Sequence, residues 1–282
     1  MKDRPLKNIR SVSPEIYDQK YFKETYGADC FFKNEVAQKF KYTLKVSGFV
    51  PKDDLVLDIG CGRGDLTLAL ASNGARVVGL DYSESALEFA RQASENLHEN
   101  LKNNISLVKS DAVRLPFPDG QFNLVFMVDI VEHLYPEQLH ECFNECCRIL
   151  KSGGRLIVHT SPNKWYNDIA YPFWERPINR VINKLFRQNL LTRHPIRTEM
   201  DLKVHVNEQT VPSLKKYLTR VGFVSKIWLG DEYLMPHKKE TFLMQVLELC
   251  RQIACHLFPL SLVPPLSYLF SNNIWVIARK PG

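Results

Sequence analysis

Short runs of branched apolar residues alternate with longer amphipathic segments from residue 55 to about residue 160. The apolar runs begin near Leu55, Ala75, Ile105, Phe122 and Leu156. Continuous apolar runs of this length are typical of strands that are buried on both faces of a parallel sheet, with helices covering those faces. The pattern therefore predicts an α/β protein with a Rossmann-like, mostly parallel sheet and helices on both sides.

The alternation stops after the fifth apolar run. Residues 163–206 form a long connection rich in aromatic and basic residues, and residues 230–272 form a second one. Both begin at the carboxyl end of a predicted strand, where ligands bind in open α/β sheets, and long loops in compact domains are typical of lids. We expect one domain, residues 1–282, with these two insertions. The elements that complete the sheet are a helix over residues 208–221 and the strands Phe223–Leu229 and Ile274–Arg279.

The most informative segment joins the first predicted strand to the first helix. It reads Val56-Leu57-Asp58-Ile59-Gly60-Cys61-Gly62-Arg63-Gly64-Asp65. Glycine lets such a loop turn tightly and lets a ligand lie against its backbone, facing the free N–H groups of the helix. A dinucleotide-binding loop would carry its third glycine one residue later. The Asp58 carboxylate would also repel a pyrophosphate, whereas it would attract a ligand with an ammonium and a sulfonium.

This segment resembles motif I of the class I S-adenosylmethionine-dependent methyltransferases. Three further landmarks follow in that family's order: Asp81, 23 residues after Asp58; the segment Ser110-Asp111-Ala112; and Leu150-Lys151-Ser152-Gly153-Gly154. The last resembles the family's L-K-P-G-G turn before strand five, with Ser152 in place of proline. The resemblance implies a seven-stranded sheet whose final strand runs antiparallel, and S-adenosyl-L-methionine as the cofactor.

The resemblance also implies which residues contact the cofactor. Asp81 would bind the ribose diol, Asp111 would accept from the adenine amino group, and the backbone of Ala112 would donate to the ring. Tyr21, in the run Tyr17-Asp18-Gln19-Lys20-Tyr21-Phe22, would close over the methionine end. Capping of the helix that starts near Ser83 is an alternative role for Asp81. The predicted cofactor contacts are Tyr21, Asp58, Gly60, Cys61, Gly62, Asp81, Tyr82, Asp111, Ala112 and Val128.

The candidate catalytic residues follow the fourth strand, in Asp129-Ile130-Val131-Glu132-His133. This loop faces the methyl group in the family. His133 titrates near neutral pH and is our candidate general base, with Glu132 beside it; a histidine that only hydrogen-bonds within the loop is the alternative. The segment also resembles the E-x-x-E-H of ubiquinone-type O-methyltransferases. That implies a further alternative, a divalent cation held by Asp129, Glu132, His133 and His205. We assign no metal site.

Composition narrows the choice of partners and compartment. The chain has 282 residues, a net charge of +6 and dispersed lysines and arginines, which argues against nucleic acid and against an RNA 2′-O-methyltransferase. The carboxylates at positions 58, 81 and 111 argue against a non-catalytic scaffold. Seven cysteines without C-x-x-C spacing predict a reducing, cytoplasmic compartment. No apolar run reaches the length of about 18 residues that a membrane-spanning helix needs.

The two insertions bear on the methyl acceptor. Arg176, Arg180, Lys184 and Arg187 recur at helical spacing beside apolar residues, and residues 242–258 contain a wide apolar face. Basic amphipathic helices are typical of anionic interfaces. We therefore expect a small or lipid-linked acceptor, methylated at a hydroxyl oxygen, and peripheral contact with a membrane. Packing of both helices onto the domain, or onto a second subunit of a homodimer, remains open.

Overall fold

The structure is a computed structural model, which describes residues 10–24, 28–33, 35–48, 54–95, 97–186, 197–230, 246 and 271–282. Within these residues, seven strands form one sheet in the order β3-β2-β1-β4-β5-β7-β6. The strands are β1 Leu55–Ile59, β2 Arg76–Asp81, β3 Ile105–Lys109, β4 Phe122–Val128, β5 Leu150–Thr160, β6 Val224–Leu229 and β7 Ile274–Arg279.

Strand β1 lies inside the sheet, between β2 and β4. Asp58 of β1 lies opposite Gly79 of β2 on one side and Phe126 of β4 on the other, in parallel register. β7 runs antiparallel to both β5 and β6. The chain moves outward from β1 to β3 and then returns to the other side of β1 at β4, so a topological switch point lies between β1 and β4. The predicted seven-stranded sheet with an antiparallel last strand is confirmed.

Helices cover both faces of the sheet. Alternate strand residues point to opposite faces, so Val56 of β1 packs against Leu66 and Leu70 of the first helix after the glycine loop. On the other face, Leu57 packs in a cluster with Phe143 and others. The described helices are α1 Gln19–Glu24, α2 Ala28–Phe31, α3 Gln38–Ser47, α4 Asp65–Ser72, α5 Glu84–Glu95, α6 Glu99–Lys102, α7 Pro136–Ile149, a π-helical segment Tyr166–Glu175, α8 Arg176–Phe186, α9 Glu199–Val204 and α10 Val211–Arg220.

Among the element boundaries that differ from the sequence prediction are the start of β5 and the start of α10. The predicted turn before strand five is part of β5, where Gly153 has a φ of 74° and the pairing with β4 shifts register between Phe122 and Leu124, as at a β-bulge. The helix predicted to start at residue 208 starts at Val211. Its true N-cap is Thr210, whose side chain accepts a hydrogen bond from the backbone N–H of Ser213.

The described part of the first insertion is helical, comprising the π-helical segment, α8 and α9. Arg187 lies outside the described residues, as does the predicted apolar face at 242–258 except for position 246. Among the described helices, none combines the length and the hydropathy needed to cross a bilayer.

Candidate functional site

The glycine loop between β1 and α4 is hydrogen-bonded to the carboxyl end of β2. The N–H groups of Gly60 and Cys61 both donate to the carbonyl of Leu80, at 2.7 and 3.0 Å. The N–H of Gly62 donates to Oδ2 of Asp81 at 2.9 Å. Gly60 has a φ of 71°, and a Cβ there would lie 2.8 Å from Cδ1 of Ile130. The loop therefore needs glycine at position 60 both for its backbone conformation and for its close approach to the loop after β4.

Asp58 lies beneath this loop with its carboxylate buried. Its Oδ2 accepts a hydrogen bond from Oγ1 of Thr67 at 2.7 Å. Burial raises the pKa of Asp58 to about 7, against the opposing effect of the Thr67 hydrogen bond, and the charges of Asp81 and Asp65 raise it further. A cationic ligand beside Asp58 would favour the ionised carboxylate, as the sequence argument required.

A cavity opens beside the loop, and its walls come from the N-terminal segment, the glycine loop, the tip of β2 and the loop after β4. Asp81 lies at its wall and also accepts from the N–H of Ser83 at 2.9 Å, so it caps the start of α5 as well. Both roles that the sequence left open for Asp81 are thus geometrically available. The predicted cofactor contacts that line this cavity are Tyr21, Gly60, Gly62, Asp81, Tyr82, Asp111 and Ala112.

A second, more polar cavity also borders the loop. It contains the remaining predicted cofactor contacts, Asp58, Cys61 and Val128, together with Glu132 and His205. The residues that line both cavities are Tyr21, Phe22, Gly60, Gly62, Asp129 and His133. The two cavities therefore meet at the glycine loop and at the loop after β4, which contribute to the walls of both.

His133 lies at this junction, in a short 3-10 turn, Val131–His133, after β4. Its Nδ1 is 2.7 Å from the hydroxyl oxygen of Tyr17, and its ring meets that of His205 edge to face at 5.0 Å between centroids. Burial and the neighbouring His205 lower the pKa of His133 to about 3, although Asp129 opposes this. The prediction that His133 titrates near neutral pH is therefore wrong. Its imidazole is neutral at pH 7, because a charged ring would lose its hydration.

Glu132 is buried next to His133 and accepts a hydrogen bond from Oγ1 of Thr160 at 2.7 Å. Burial, and then the charge of Asp129, raise the pKa of Glu132 to about 8. Potential ligand atoms of Glu132, His133 and His205 all lie within 4.8 Å of one another. Three of the four residues in the alternative cation site therefore converge.

The fourth residue, Asp129, is bound by other groups. It has a φ of 55°, and its carboxylate accepts from the ammonium of Lys39 and lies 2.5 Å from Nδ1 of His159, whose Nε2 is 2.9 Å from Oδ1 of Asn273. Burial tends to raise the pKa of Asp129, but Lys39 and His159 outweigh it and hold that pKa well below its usual range. The four-residue cation site predicted as an alternative is therefore not assembled in this structure.

Three residues of the site were missed by sequence reasoning. Tyr17 belongs to the same aromatic run as Tyr21, and that run was the available signal. Lys39 lies on α3 with its side chain only 8% exposed, and Thr160 ends β5. Neither Lys39 nor Thr160 belongs to a recognisable motif, because both act through contacts made across the fold.

The glycine loop fits S-adenosylmethionine. The cradle at Gly60 leaves no room for a side chain, the buried Asp58 matches a cationic methionine end, and the wall at Asp81 offers a carboxylate to a ribose diol.

Comparison with known proteins agrees with the interpretation that the glycine loop binds S-adenosylmethionine. Residues 57–158 match the family described as Methyltransferase domain. The chain is 28% identical over 188 residues to the ubiquinone/menaquinone biosynthesis C-methyltransferase of Pseudomonas paraeruginosa, covering 65% of this chain and 70% of that protein. It is 30% identical over 121 residues to the 27-O-demethylrifamycin SV methyltransferase of Amycolatopsis mediterranei, covering 42% of this chain and 43% of that protein. The aligned part spans about half the length, 43% to 60%, of several such relatives.

A solved structure shares the fold. The methyltransferase of Haloferax volcanii solved in complex with a methyltransferase activator superposes with a TM-score of 0.60 at 15% identity, covering 98% of this chain and 100% of the other. At this identity the likeness concerns the fold alone. The glycine loop, the acidic strand tips and the matched methyltransferase domain over residues 57–158 support a class I S-adenosylmethionine-dependent methyltransferase, whose cofactor is S-adenosyl-L-methionine.

Proposed function

We propose that this protein transfers a methyl group from S-adenosylmethionine to a hydroxyl oxygen of a small or lipid-linked acceptor. The observation that carries the proposal is the position of His133 where the two cavities meet, bonded to Tyr17 and facing His205. A methyltransferase needs a proton acceptor at the place where its cofactor and acceptor sites join.

The cofactor would lie along the glycine loop. Asp58 would face its cationic end, Asp81 the ribose, and Asp111 with Ala112 the adenine, while Tyr21 closes over the methionine end. Bound S-adenosylmethionine supplies a methyl carbon activated by its sulfonium. The other cofactor contacts of this proposal are Gly60, Cys61, Gly62, Tyr82 and Val128, all of which line one or both cavities.

His133 would act as the general base. Its neutral ring can take the hydroxyl proton as the new C–O bond forms and the S–C bond breaks. An imidazolium there would be stabilised by the charge of Asp129, which opposes the effect of burial on the pKa of His133. Loss of the sulfonium charge during transfer also removes a repulsion that would oppose proton uptake.

The acceptor class is supported by the relatives. Their names assign one to ubiquinone/menaquinone biosynthesis and the other to the methylation of 27-O-demethylrifamycin SV. One methylates carbon and the other an oxygen, so the names leave the acceptor atom open. A histidine base at the junction favours a hydroxyl group, because a hydroxyl has a proton to remove.

The compartment is part of the proposal. Cys61, Cys142 and Cys146 are unpaired and buried, and Cys142 and Cys146 pack against Met127. Such thiols fit a reducing, cytoplasmic environment.

A binding experiment tests the proposed cofactor site. S-adenosylhomocysteine should raise the melting temperature of the purified protein, whereas NAD should not. Asp81→Asn should weaken the binding of S-adenosylhomocysteine by about tenfold or more, since a charged hydrogen-bond acceptor is lost. Asp119→Asn, at an exposed ion pair with Arg148, is the matched control. Equal affinity of Asp81→Asn and wild type would remove the ribose assignment.

A turnover experiment tests the proposed role of His133 as general base. With an accepted phenol or sugar hydroxyl, His133→Ala should lower kcat by roughly 10²-fold while changing cofactor affinity little. His140→Ala on α7 removes an imidazole outside both cavities and should leave kcat unchanged. Unchanged turnover in His133→Ala would reduce His133 to a structural role.

A further inference from the structure

The first insertion carries a row of exposed apolar side chains. Ile169, Phe173, Val181 and Leu185 are 44%, 78%, 58% and 73% exposed. They recur at four-residue intervals through the π-helical segment and α8, with Pro177 at the intervening position. Residues four apart on a helix are neighbours on one face. Single exposed apolar residues are ordinary, but an aligned row of this kind indicates an interaction surface.

A row of cations runs beside the apolar one. Arg176, Arg180 and Lys184 are exposed. Each stands one residue before a position of the apolar row, at residues 177, 181 and 185. Within the described part of the chain, none of the three forms an ion pair with a carboxylate. Asp168, the acid of this segment whose side chain is described, is held by Lys164 and Arg197.

The opposite side of the same segment is anchored to the protein. Tyr166, Ala170 and Asn179 are buried. The segment begins a few residues after the end of β5, and Ser161 at that end lines the polar cavity. The surface formed by the exposed rows, which we term the basic-apolar face (residues 169–185), therefore lies on a helical segment that begins close to the polar cavity.

The charge of this face decides its partner. A second copy of the chain packed here about a twofold axis would bring two rows of cations together, and like charges oppose such an interface. An anionic lipid surface instead accepts apolar side chains among its acyl chains and cations among its phosphates at the same time.

We propose that the basic-apolar face binds the surface of an anionic phospholipid bilayer, with Phe173 and Leu185 inserted and Arg180 and Lys184 at the headgroups. A bilayer bound to this face would lie near the polar cavity, because the segment that carries the face follows Ser161 in the cavity wall. This proximity gives a lipid-linked acceptor a route to His133, and this last step alone rests on the proposed function.

Cosedimentation with vesicles tests the proposal. The wild-type protein should pellet with phosphatidylglycerol vesicles at low salt, remain in the supernatant with phosphatidylcholine vesicles, and be released by high salt. Arg180→Glu with Lys184→Glu should weaken binding to phosphatidylglycerol by about 30-fold or more, since each basic group near an anionic surface contributes to the affinity. Phe173→Asp with Leu185→Asp should also abolish pelleting.

Matched control variants show whether vesicle binding depends on this face or only on the net charge and hydrophobicity of the protein. Lys215→Glu with Lys216→Glu makes the same charge change on α10, and Val224→Asp removes a side chain that is 69% exposed on β6. Both should bind vesicles as the wild type does. The thermal shift with S-adenosylhomocysteine reports folding of each variant, and it tests the cofactor site separately from the membrane surface.

Two results would overturn the proposal. One is a wild-type protein that stays in the supernatant with phosphatidylglycerol at low salt. The other is equal loss of binding in the control variants. A wild-type dimer in solution that Phe173→Asp converts to a monomer, without any vesicle binding, would assign the face to a second copy instead.

Discussion

The hydroxyl of Tyr17 lies 2.7 Å from Nδ1 of His133 and ties the N-terminal segment to the loop after β4. The ring of Tyr17 also contacts that of Tyr82, with 5.6 Å between their centroids, and the Tyr82 hydroxyl donates to the carbonyl of Val12 at 3.4 Å. General-base catalysis by His133 requires the tautomer in which Nδ1–H donates to the Tyr17 oxygen, because that tautomer leaves the lone pair on Nε2 free to take a proton.

Removing the Tyr17 hydroxyl should therefore impair turnover more than cofactor binding. Tyr17→Phe keeps the ring but frees the imidazole to change tautomer, and loss of a buried hydrogen bond of this kind corresponds to about a tenfold fall in kcat. Tyr42→Phe, which removes a hydroxyl bonded to Trp228 outside the site, is the control. Steady-state kinetics with the accepted substrate would measure both, and equal kcat values in the two variants would contradict the tautomer argument.

Binding of the cofactor product should depend on pH through Asp58. Burial raises the pKa of Asp58 to about 7 in the free protein, and a cationic ligand needs the ionised carboxylate. Affinity for S-adenosylhomocysteine should therefore fall as pH drops below about 7, by about tenfold between pH 8 and pH 6 for a single proton. Isothermal titration at the two pH values measures this. Asp58→Asn should bind weakly at both, so a variant that keeps the full pH dependence would assign the proton to another group.

The same shift has a consequence for stability with the opposite sign. The pKa of Asp58 is higher in the folded protein than its ordinary value of 3.8, so its contribution to stability is present at low pH and is lost as pH rises through about 7. Asp58→Asn should raise the melting temperature of the free protein at pH 8 and change it little at pH 4. Thermal unfolding followed by circular dichroism would show this, and a lower melting temperature at pH 8 would contradict it.

Glycine at position 60 is needed for more than its backbone angle. Gly60 and Gly120 have similar φ angles of 71° and 64°, but a Cβ at Gly60 meets Ile130 at 2.8 Å whereas one at Gly120 meets nothing within 4 Å. Both alanine variants should lose about 1 kcal/mol through backbone strain. Only Gly60→Ala should also lose binding of S-adenosylhomocysteine. Similar losses of stability and of binding in both would show that the contact with Ile130 has no effect.

Turnover should persist in excess EDTA. Asp129 is bound by Lys39 and His159, which leaves Glu132, His133 and His205 as the remaining convergent ligands. Glu132 is itself held by Thr160, and His133 by Tyr17. Activity lost in EDTA and restored by Mg²⁺ or Mn²⁺ would overturn our assignment of no metal site and would make those three residues the ligands to test by substitution.

The sequence by itself determined the sheet and the cofactor loop. Buried strands of a parallel sheet are continuous apolar runs, and the glycine spacing and the acid at each strand tip are local features, so both can be recognised without the fold. Helix capping is also a local feature, so the start of α10, predicted at residue 208, differs by only three residues from its position at Val211 after the N-cap Thr210.

Only the tertiary structure decided which hydrogen bonds and ion pairs the side chains of the candidate site form. Asp129 stands three residues before Glu132 and resembles part of one ligand set, yet Lys39 from α3 and His159 from β5 bind it. The pKa of His133 is likewise set by neighbours from distant parts of the chain, chiefly through burial beside His205. Spacing along a chain fixes which side chains share a loop. Which partners neutralise them depends on how helices and strands pack, and in the low dielectric of the interior those partners determine the charge of each group.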